Sequence, residues 1–476
     1  MSPVSPELYA STNSSNILKR LWVHLSLRRR AQLAALLLLM FIVSLAEVVS
    51  IGAVLPFLGA LTSPEWVFNH TMAQGLIRAA GISSADQLLQ PLTVLFVCAA
   101  LLSGALRLAL NWGQIRLCNA IGADISISIY RRTLYQPYAV HLTRNSSQVI
   151  SAVATKADGV VYSTLIPFLV IISSTVMLCS TLVALVALEP FIAFTAIFGF
   201  GSIYGVIIAL TKYRLAIYSQ VISQEQTALI KVLQEALGGI RDVLIDGTQA
   251  LYCTIYRGAD RRFRAAKSNV SIIGSSPRFA VEAFGMAFIA ILAYVLVSRS
   301  QGLGSVIPIL GALALGAQRM LPVLQQGYSS WTTLRSGRSS LVDALLFLEQ
   351  PLPEQADLPP PAPMPFFKTI HLNHVGFHYV GSQALVLKDL TLTIPKGGCI
   401  GFIGSTGGGK STLLDIIMGL LSPVEGGLLI DGVQITPENC RAWQAHIAHV
   451  PQSIFLSDAT IAENIAFGVP LNQIDY

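Results

Sequence analysis

The chain has 476 residues, 53% of them hydrophobic and only 12% charged, with a formal net charge of +6 and a mean hydropathy of +0.62. An average soluble chain carries about 25% charged residues, so this balance excludes an ordinary soluble enzyme and points to a membrane; the length allows two or three domains. The positive charge comes without a dense Lys/Arg tract, which argues against a nucleic acid partner, and the scattered cysteines Cys98, Cys118, Cys179, Cys253, Cys399 and Cys440 show no CxxC pair and no metal-ligand spacing.

Residues 1–16 are rich in Ser, Asn and Pro and offer little to bury, which predicts disorder. No signal peptide is expected, because the first apolar run lies too far in and no small-residue cleavage site follows it. Residues 17–30 carry Leu18, Leu21, Trp22, Leu25 and Leu27 among Lys19, Arg20, Arg28, Arg29 and Arg30. That is the pattern of a basic amphipathic helix on the inner membrane surface, or of a solvated arm.

Residues 31–350 form the expected membrane domain. Six apolar segments, near 33–61, 90–110, 161–187, 191–210, 279–297 and 306–323, each approach the ~20 residues needed to cross a bilayer as helix. Short turns join the third to the fourth and the fifth to the sixth on one face. The long connections 111–160 and 211–278 therefore lie on the other, and they hold most of the Lys and Arg. Positive charge marks the cytoplasm, so both termini are expected there. Segments 111–138 and 220–243 are amphipathic and low in Pro, which predicts that the membrane helices continue into the cytoplasm, with turning points at 138–147 and 246–256. Glu47, Arg107, Glu282 and Arg319 fall inside apolar segments, where a charge must face the bundle interior or a wet cavity. Two readings of Arg107 and Arg319 stay open: a grip on an anionic head group such as a lipid pyrophosphate, or pairing between helices.

Seven prolines between residues 351 and 365 predict a stiff linker and a domain boundary. Residues 366–476 are soluble in character. Alternation predicts strands at 370–372 and 375–379, and another at 390–394. The run 398–403 reads as a buried strand. It enters Gly404-Ser405-Thr406-Gly407-Gly408-Gly409-Lys410-Ser411-Thr412, which fits the P-loop pattern G-x-x-x-x-G-K-[ST], and an apolar helix follows before Ser422-Pro423. Glycines let backbone N–H groups turn inward around phosphate oxygens, and the helix N-terminus adds its dipole. Lys410 then reaches the β- and γ-phosphates and the Ser411 hydroxyl holds Mg²⁺, so the segment predicts binding of a nucleoside triphosphate with Mg²⁺. Asp431-Gly432 reads as a hairpin turn. His446 and His449 read as ordinary strand residues rather than a metal pair.

Six membrane helices with cytoplasmic extensions followed by a P-loop domain resemble an ABC exporter half-transporter. Further wording carries the resemblance. Val375-Gly376-Phe377-His378-Tyr379 looks like the strand ending in an adenine-stacking aromatic. His446 to Gln452, followed by Ile454-Phe455, resembles the Q-loop. Ile461-Ala462-Glu463-Asn464-Ile465 matches a T-I-x-x-N-I run. The wording from Arg441 to Gly468 looks closest to bacterial flippases for lipid-linked oligosaccharides. In that family Tyr379 would lie on the ATP base, and Gln452 would touch Mg²⁺ and the attacking water. The turning points would be coupling helices docked on the nucleotide domains, and 63–81 a short external helix. The resemblance implies an all-α polytopic membrane domain followed by an α/β P-loop domain, working as a dimer in a bacterial inner membrane on an amphipathic lipid-linked substrate. The alternatives are a drug, peptide or lipid exporter, or a nucleotide-binding membrane subunit without turnover, either a regulatory partner or a nonfunctional remnant. The family's L-S-G-G-Q signature, its acidic strand ending in Asp-Glu and its switch histidine find no match here. The expectation is that this polypeptide alone hydrolyses ATP poorly, being either truncated or completed by another chain.

Overall fold

An apolar segment in lipid must satisfy every backbone N–H and C=O from within, which leaves the helix as its solution. The computed structural model describes residues 14–62, 64–68, 84–188, 190–299, 303–382, 384–452 and 454–475. They fall into two units, one of Met1–Gln136 with Arg144–Pro351, the other of Pro137–Thr143 with Leu352–Tyr476.

The first unit is helical: α1 (Ser14–Val23), α2 (Leu27–Gly52), α3 (Leu89–Leu134), α4 (Ile166–Leu188), α5 (Pro190–Gly238), α6 (Gln249–Ser275), α7 (Pro277–Arg299), α8 (Leu303–Ser336) and α9 (Arg338–Leu348). Among the described residues, three helical stretches are long and apolar enough to cross a membrane, Leu27–Ser50, Leu89–Leu134 and Ser146–Val183. The other three expected spans fall on α5, α7 and α8, where many side chains lie outside the described residues. The predicted extensions are present as helix. α3 has 46 residues and α5 has 49, so at 1.5 Å per residue each is about 70 Å long against a ~30 Å hydrocarbon core.

Two boundaries differ from expectation. Residues 17–30 do not form one helix: the chain breaks between Val23 and Leu27, and Leu27–Arg30 begin the membrane helix α2. The apolar face of α1 is used on protein, since Ile17 and Leu21 are buried in the same core as Leu345 and Leu348 of α9, and Arg20 pairs with Glu349 at 2.5 Å. The second turning point comes earlier than 246–256. A break at Gly239, the short helix Ile240–Ile245 and the left-handed Gly247 make the turn, and 249–256 already belong to α6; glycine has the lowest cost in a left-handed turn. Of the predicted 63–81 helix, Pro64–Phe68 is helical, and 63 and 69–81 lie outside the described residues. So do residues 1–13, where disorder was predicted.

The helix leading into α4 carries two π-helical turns, Ala152–Lys156 and Val161–Leu165, the kind of local widening that concentrates at functional or strained positions. Neighbouring backbone comes close there. Gly122 of α3 faces the Val161 side chain, and a Cβ at Gly337 would stand 2.5 Å from that of Ser163. Lys156 pairs with Asp343 of α9 at 2.5 Å, with the two side chains only 8% and 14% exposed, and Ser223 of α5 donates to the same carboxylate. One buried ion pair thus joins three helical segments.

In the second unit an antiparallel sheet has the order β2-β1-β3-β4, from β1 (Thr369–Phe377), β2 (Leu387–Pro395), β3 (Glu425–Ile430) and β4 (Val433–Gln434). Between β2 and β3 lies α10 (Lys410–Ile417); α11 (Cys440–Gln444) and α12 (Ile461–Ile465) follow. Leu372, Val375, Ile416, Ile430 and Trp443 form its core, and Ala139 of the short helix Tyr138–Thr143 packs on it. The two predicted strands at 370–372 and 375–379 are one strand with an irregularity between Leu372 and Val375. The run 398–403 is not a ladder strand, and Ile403 is 99% exposed. A continuous apolar run is a parallel-sheet signal that needs strands on both sides, and the described residues supply none there. Nor are 446–452 in a ladder. The hairpin at Asp431-Gly432 is present: Ile430 pairs with Val433, and both turn residues have positive φ, 50° and 85°, as a type I′ turn requires.

The Asp431 carboxylate accepts the backbone N–H groups of Phe367, Lys368 and Thr369 at 2.5, 2.8 and 2.7 Å. These donors favour the charged form and hold its pKa below the usual carboxylate value. A depressed folded pKa contributes stability above the unfolded value of about 3.9 and loses it as pH falls through the folded one. Asp431→Ala is therefore expected to speed amide exchange at 367–369 at neutral pH, with the difference from wild type closing as pH drops below about 3.9. Removing one partner of a buried pair costs about 3–5 kcal/mol. Asp343→Ala should accordingly lower the apparent Tm of the detergent-solubilised chain, and Lys156→Met with Asp343→Leu should restore most of it.

Candidate functional site

The loop from Gly404 to Gly409 leaves β2 behind and turns straight into α10. Gly407 and Gly409 take φ of 83° and 79°, and Gly409 is the N-cap residue of the helix. Side chains are strained in that region of φ, and a Cβ on Gly409 would also stand 2.9 Å from Leu387 Cδ2 and 3.2 Å from Val386 Cγ1. The glycine is needed twice over, for the turn and for the approach to β2. The first N–H groups of any helix lack an intrahelical acceptor, so those of Lys410, Ser411 and Thr412 face the loop. Lys410 Nζ folds back over it, donating to the carbonyls of Gly404 (2.9 Å) and Ser405 (2.8 Å). The result is an exposed cradle of main-chain amides with one ammonium over its mouth and the Ser411 hydroxyl at the helix end. This donor set fits phosphate oxygens and a hard cation held through a hydroxyl.

Tyr379 is brought to the same place. Its hydroxyl meets Thr412 Oγ1 at 2.8 Å, and its ring stands edge-on to Phe377, centroids 5.1 Å apart. Thr412 is buried. Sequence reasoning gave Thr412 no role beyond the motif, and no sequence signal marked this bond. Gln452 is exposed, and among the described residues no hydrogen bond ties it to Lys410 or Ser411. The two histidines have separate surroundings. His446 Nε2 donates to the Met364 carbonyl at 2.6 Å, whereas His449 lies near Asp415 of α10. Burial pushes the Asp415 carboxyl up, and His449 pulls it partly back.

In the helical unit, Glu47 of α2 is 1% exposed and accepts from Ser103 Oγ of α3 at 2.5 Å. Arg107, one turn further along α3, lies 3.6 Å from the same carboxylate, with Nη2 against Met177 Sδ at 3.8 Å, and stays 47% exposed. Pairing between helices is therefore present for Glu47 and Arg107. Glu282 pairs along its own helix with Arg278 at 2.6 Å. Arg319 lies on α8, and its side chain is outside the described residues.

Residues 33–314 match the ABC transporter transmembrane region, and residues 387–475 match the ABC transporter family model. The chain belongs to the ABC transporter family. It carries the membrane and ATP-binding parts of an ABC exporter in one polypeptide. The ATP-dependent lipid A-core flippase of Chromohalobacter salexigens is 29% identical over 56% of this chain and 46% of its own length. The fatty acid ABC transporter ATP-binding/permease protein of Mycobacterium bovis is 30% identical over 50% and 37%. Human ATP-binding cassette sub-family B member 5 is 38% identical over 22% and 9%. The matches thus span less than half the length of these curated relatives. In this ABC transporter the loop predicts a sharp test: Gly409→Ala should abolish binding of a fluorescent ATP analogue, because the substitution disturbs both the φ and the packing on Leu387, whereas Gly401→Ala, with open space around it, should change affinity less than about threefold.

Proposed function

We propose that this chain binds ATP with Mg²⁺ and uses it to move an amphipathic lipid, a lipid-linked oligosaccharide or a relative of it, across a bacterial inner membrane as part of a dimer. The observation that carries the reading is the glycine-built cradle at the N-terminus of α10 in the same polypeptide as apolar spans. Gly404 to Gly409 present amides to the phosphates and Lys410 adds positive charge beside them. Ser411 and Gln452 are the residues for the metal, Thr412 closes the motif, and Tyr379 is the residue for the base. Bound Mg²⁺ would neutralise charge on the β- and γ-phosphates.

The substrate reading draws on Arg107. A guanidinium carries five N–H donors, and here its contacts are one long ion pair and a thioether. In an apolar span that leaves capacity for an anionic lipid head group, with Arg319 as the second candidate. The names of the relatives, a lipid A-core flippase and a fatty acid transporter, point to amphipathic lipids too. The excess of Lys and Arg in 111–160 and 211–278 supports cytoplasmic termini. A second reading, a nucleotide-binding subunit without turnover, draws on the same cradle and on the exposed position of Gln452.

Lys410→Ala should weaken ATP-analogue binding by about tenfold or more, since a hydrogen bond to a charged group contributes about 1.5–3 kcal/mol. Unchanged affinity would refute the site. In proteoliposomes, Arg107→Gln should cut translocation of a fluorescent lipid-linked oligosaccharide at least severalfold and leave nucleotide affinity intact. Equal translocation by both proteins would remove Arg107 from the substrate path, and ATP binding without any translocation or hydrolysis would favour the second reading.

A further inference from the structure

The phosphate cradle stands on α10, and what holds the other end of that helix is a feature the motif does not predict. The last carbonyls of a helix have no intrahelical donor. Part of the demand at this end is met by a Schellman turn: Gly419 N donates to Ile416 O at 2.9 Å, Leu420 N donates to Asp415 O at 2.8 Å, and Gly419 has φ 70°. The rest is met by side chains of α11. Trp443 Nε1 donates to Ile417 O at 2.8 Å, Gln444 Nε2 approaches Met418 O and Gly419 O at 3.3 Å each, and Cys440 Sγ donates to Gly419 O at 3.1 Å. Trp443 is 3% exposed, so its bond is sheltered from water.

The same short helix holds a second segment. Met364, at the end of the proline-rich linker, donates its N–H to Ala442 O at 3.1 Å and accepts from His446 Nε2 at 2.6 Å. Phe366 stands edge-on to the Trp443 ring, with centroids 5.6 Å apart. Lys396 Nζ donates to the Phe366 carbonyl at 2.8 Å, with its ammonium over that ring.

We propose that Trp443 and its helix are positioning elements that couple the proline-rich linker to the phosphate cradle: residues 364–366 and the C-terminus of α10 are held by one rigid piece, so nucleotide binding at Gly404–Thr412 tightens the linker strap. The proposal rests on the nucleotide-binding reading above. Coupling of this kind is reciprocal, so loosening the strap weakens nucleotide binding even though the strap is fastened at the far end of α10.

The test is amide hydrogen exchange on the full chain in detergent, with and without Mg²⁺ and a non-hydrolysable ATP analogue. In the wild type, nucleotide should slow exchange both at 404–413 and at 364–366. Trp443→Phe keeps the ring against Phe366 and removes the indole donor. It should lose the effect at 364–366, keep it at 404–413, and bind the analogue about threefold to tenfold more weakly, as expected for one net hydrogen bond. His446→Ala should act likewise from the linker side, and His446→Gln, which keeps an N–H donor, should recover part of the coupling; a merely structural loss would show no such rescue. Exchange at 369–377 checks that β1 is intact, and if Trp443→Phe fails that check, the His446 pair decides. Protection at 404–413 with none at 364–366 in the wild type would overturn the coupling and leave the nucleotide site standing. No protection at 404–413 would overturn both.

Discussion

The phosphate cradle of the second unit depends on the backbone passing through left-handed φ at Gly407 and Gly409 and entering α10 without a side chain in the way. A Cβ at Gly409 would press on Leu387, and Leu387 opens β2, which pairs with β1 from Leu387 to Pro395. The sheet thus fixes the height at which the loop turns, the loop fixes where the first amides of α10 point, and Lys410 closes over them. Local conformation, packing and charge agree on one concave donor surface. Such agreement is what permits anion binding without any side-chain acid or base chemistry.

Much of this was legible. Apolar span length gave the helical unit, amphipathic and Pro-poor patterning the long extensions of α3 and α5, and turn chemistry the hairpin at Asp431-Gly432, because each rests on local rules of burial or backbone conformation. The P-loop was legible for the same reason: its glycines are required by φ. Other features depended on residues far apart in the sequence. Leu21 and Leu25 read as part of a face for lipid, yet both are buried in one core with Leu345 and Leu348 of α9, more than 300 positions away, while Trp22 and Leu27 stay exposed. The run 398–403 read as a buried strand because hydropathy records what a segment is able to bury, not whether neighbours are at hand. The Tyr379–Thr412 bond and the donors that Trp443 and Gln444 give to the end of α10 have no periodic signature at all.

Charge placement in the helical unit separates two physical situations. Lys156 and Asp343 satisfy each other at short range with Ser223 added, and both are nearly removed from solvent. Such a pair has a large desolvation cost and holds only while complete, which suits a fixed joint. Glu47 is equally hidden but is satisfied first by Ser103, and Arg107 stands at longer range with its far side open. One arrangement is closed on itself; in the other the guanidinium stays 47% exposed.

The unbroken length of α3 and α5 has a mechanical consequence. A rod of about 70 Å that pivots by about 5° where it leaves a ~30 Å hydrocarbon core has about 40 Å beyond the pivot, and its far tip moves by roughly 3.5 Å. Gly238-Gly239 and Gly247 put bends only at the distal end of α5, so motion that starts near the lipid arrives at that end undiminished, with the slack gathered at a glycine elbow.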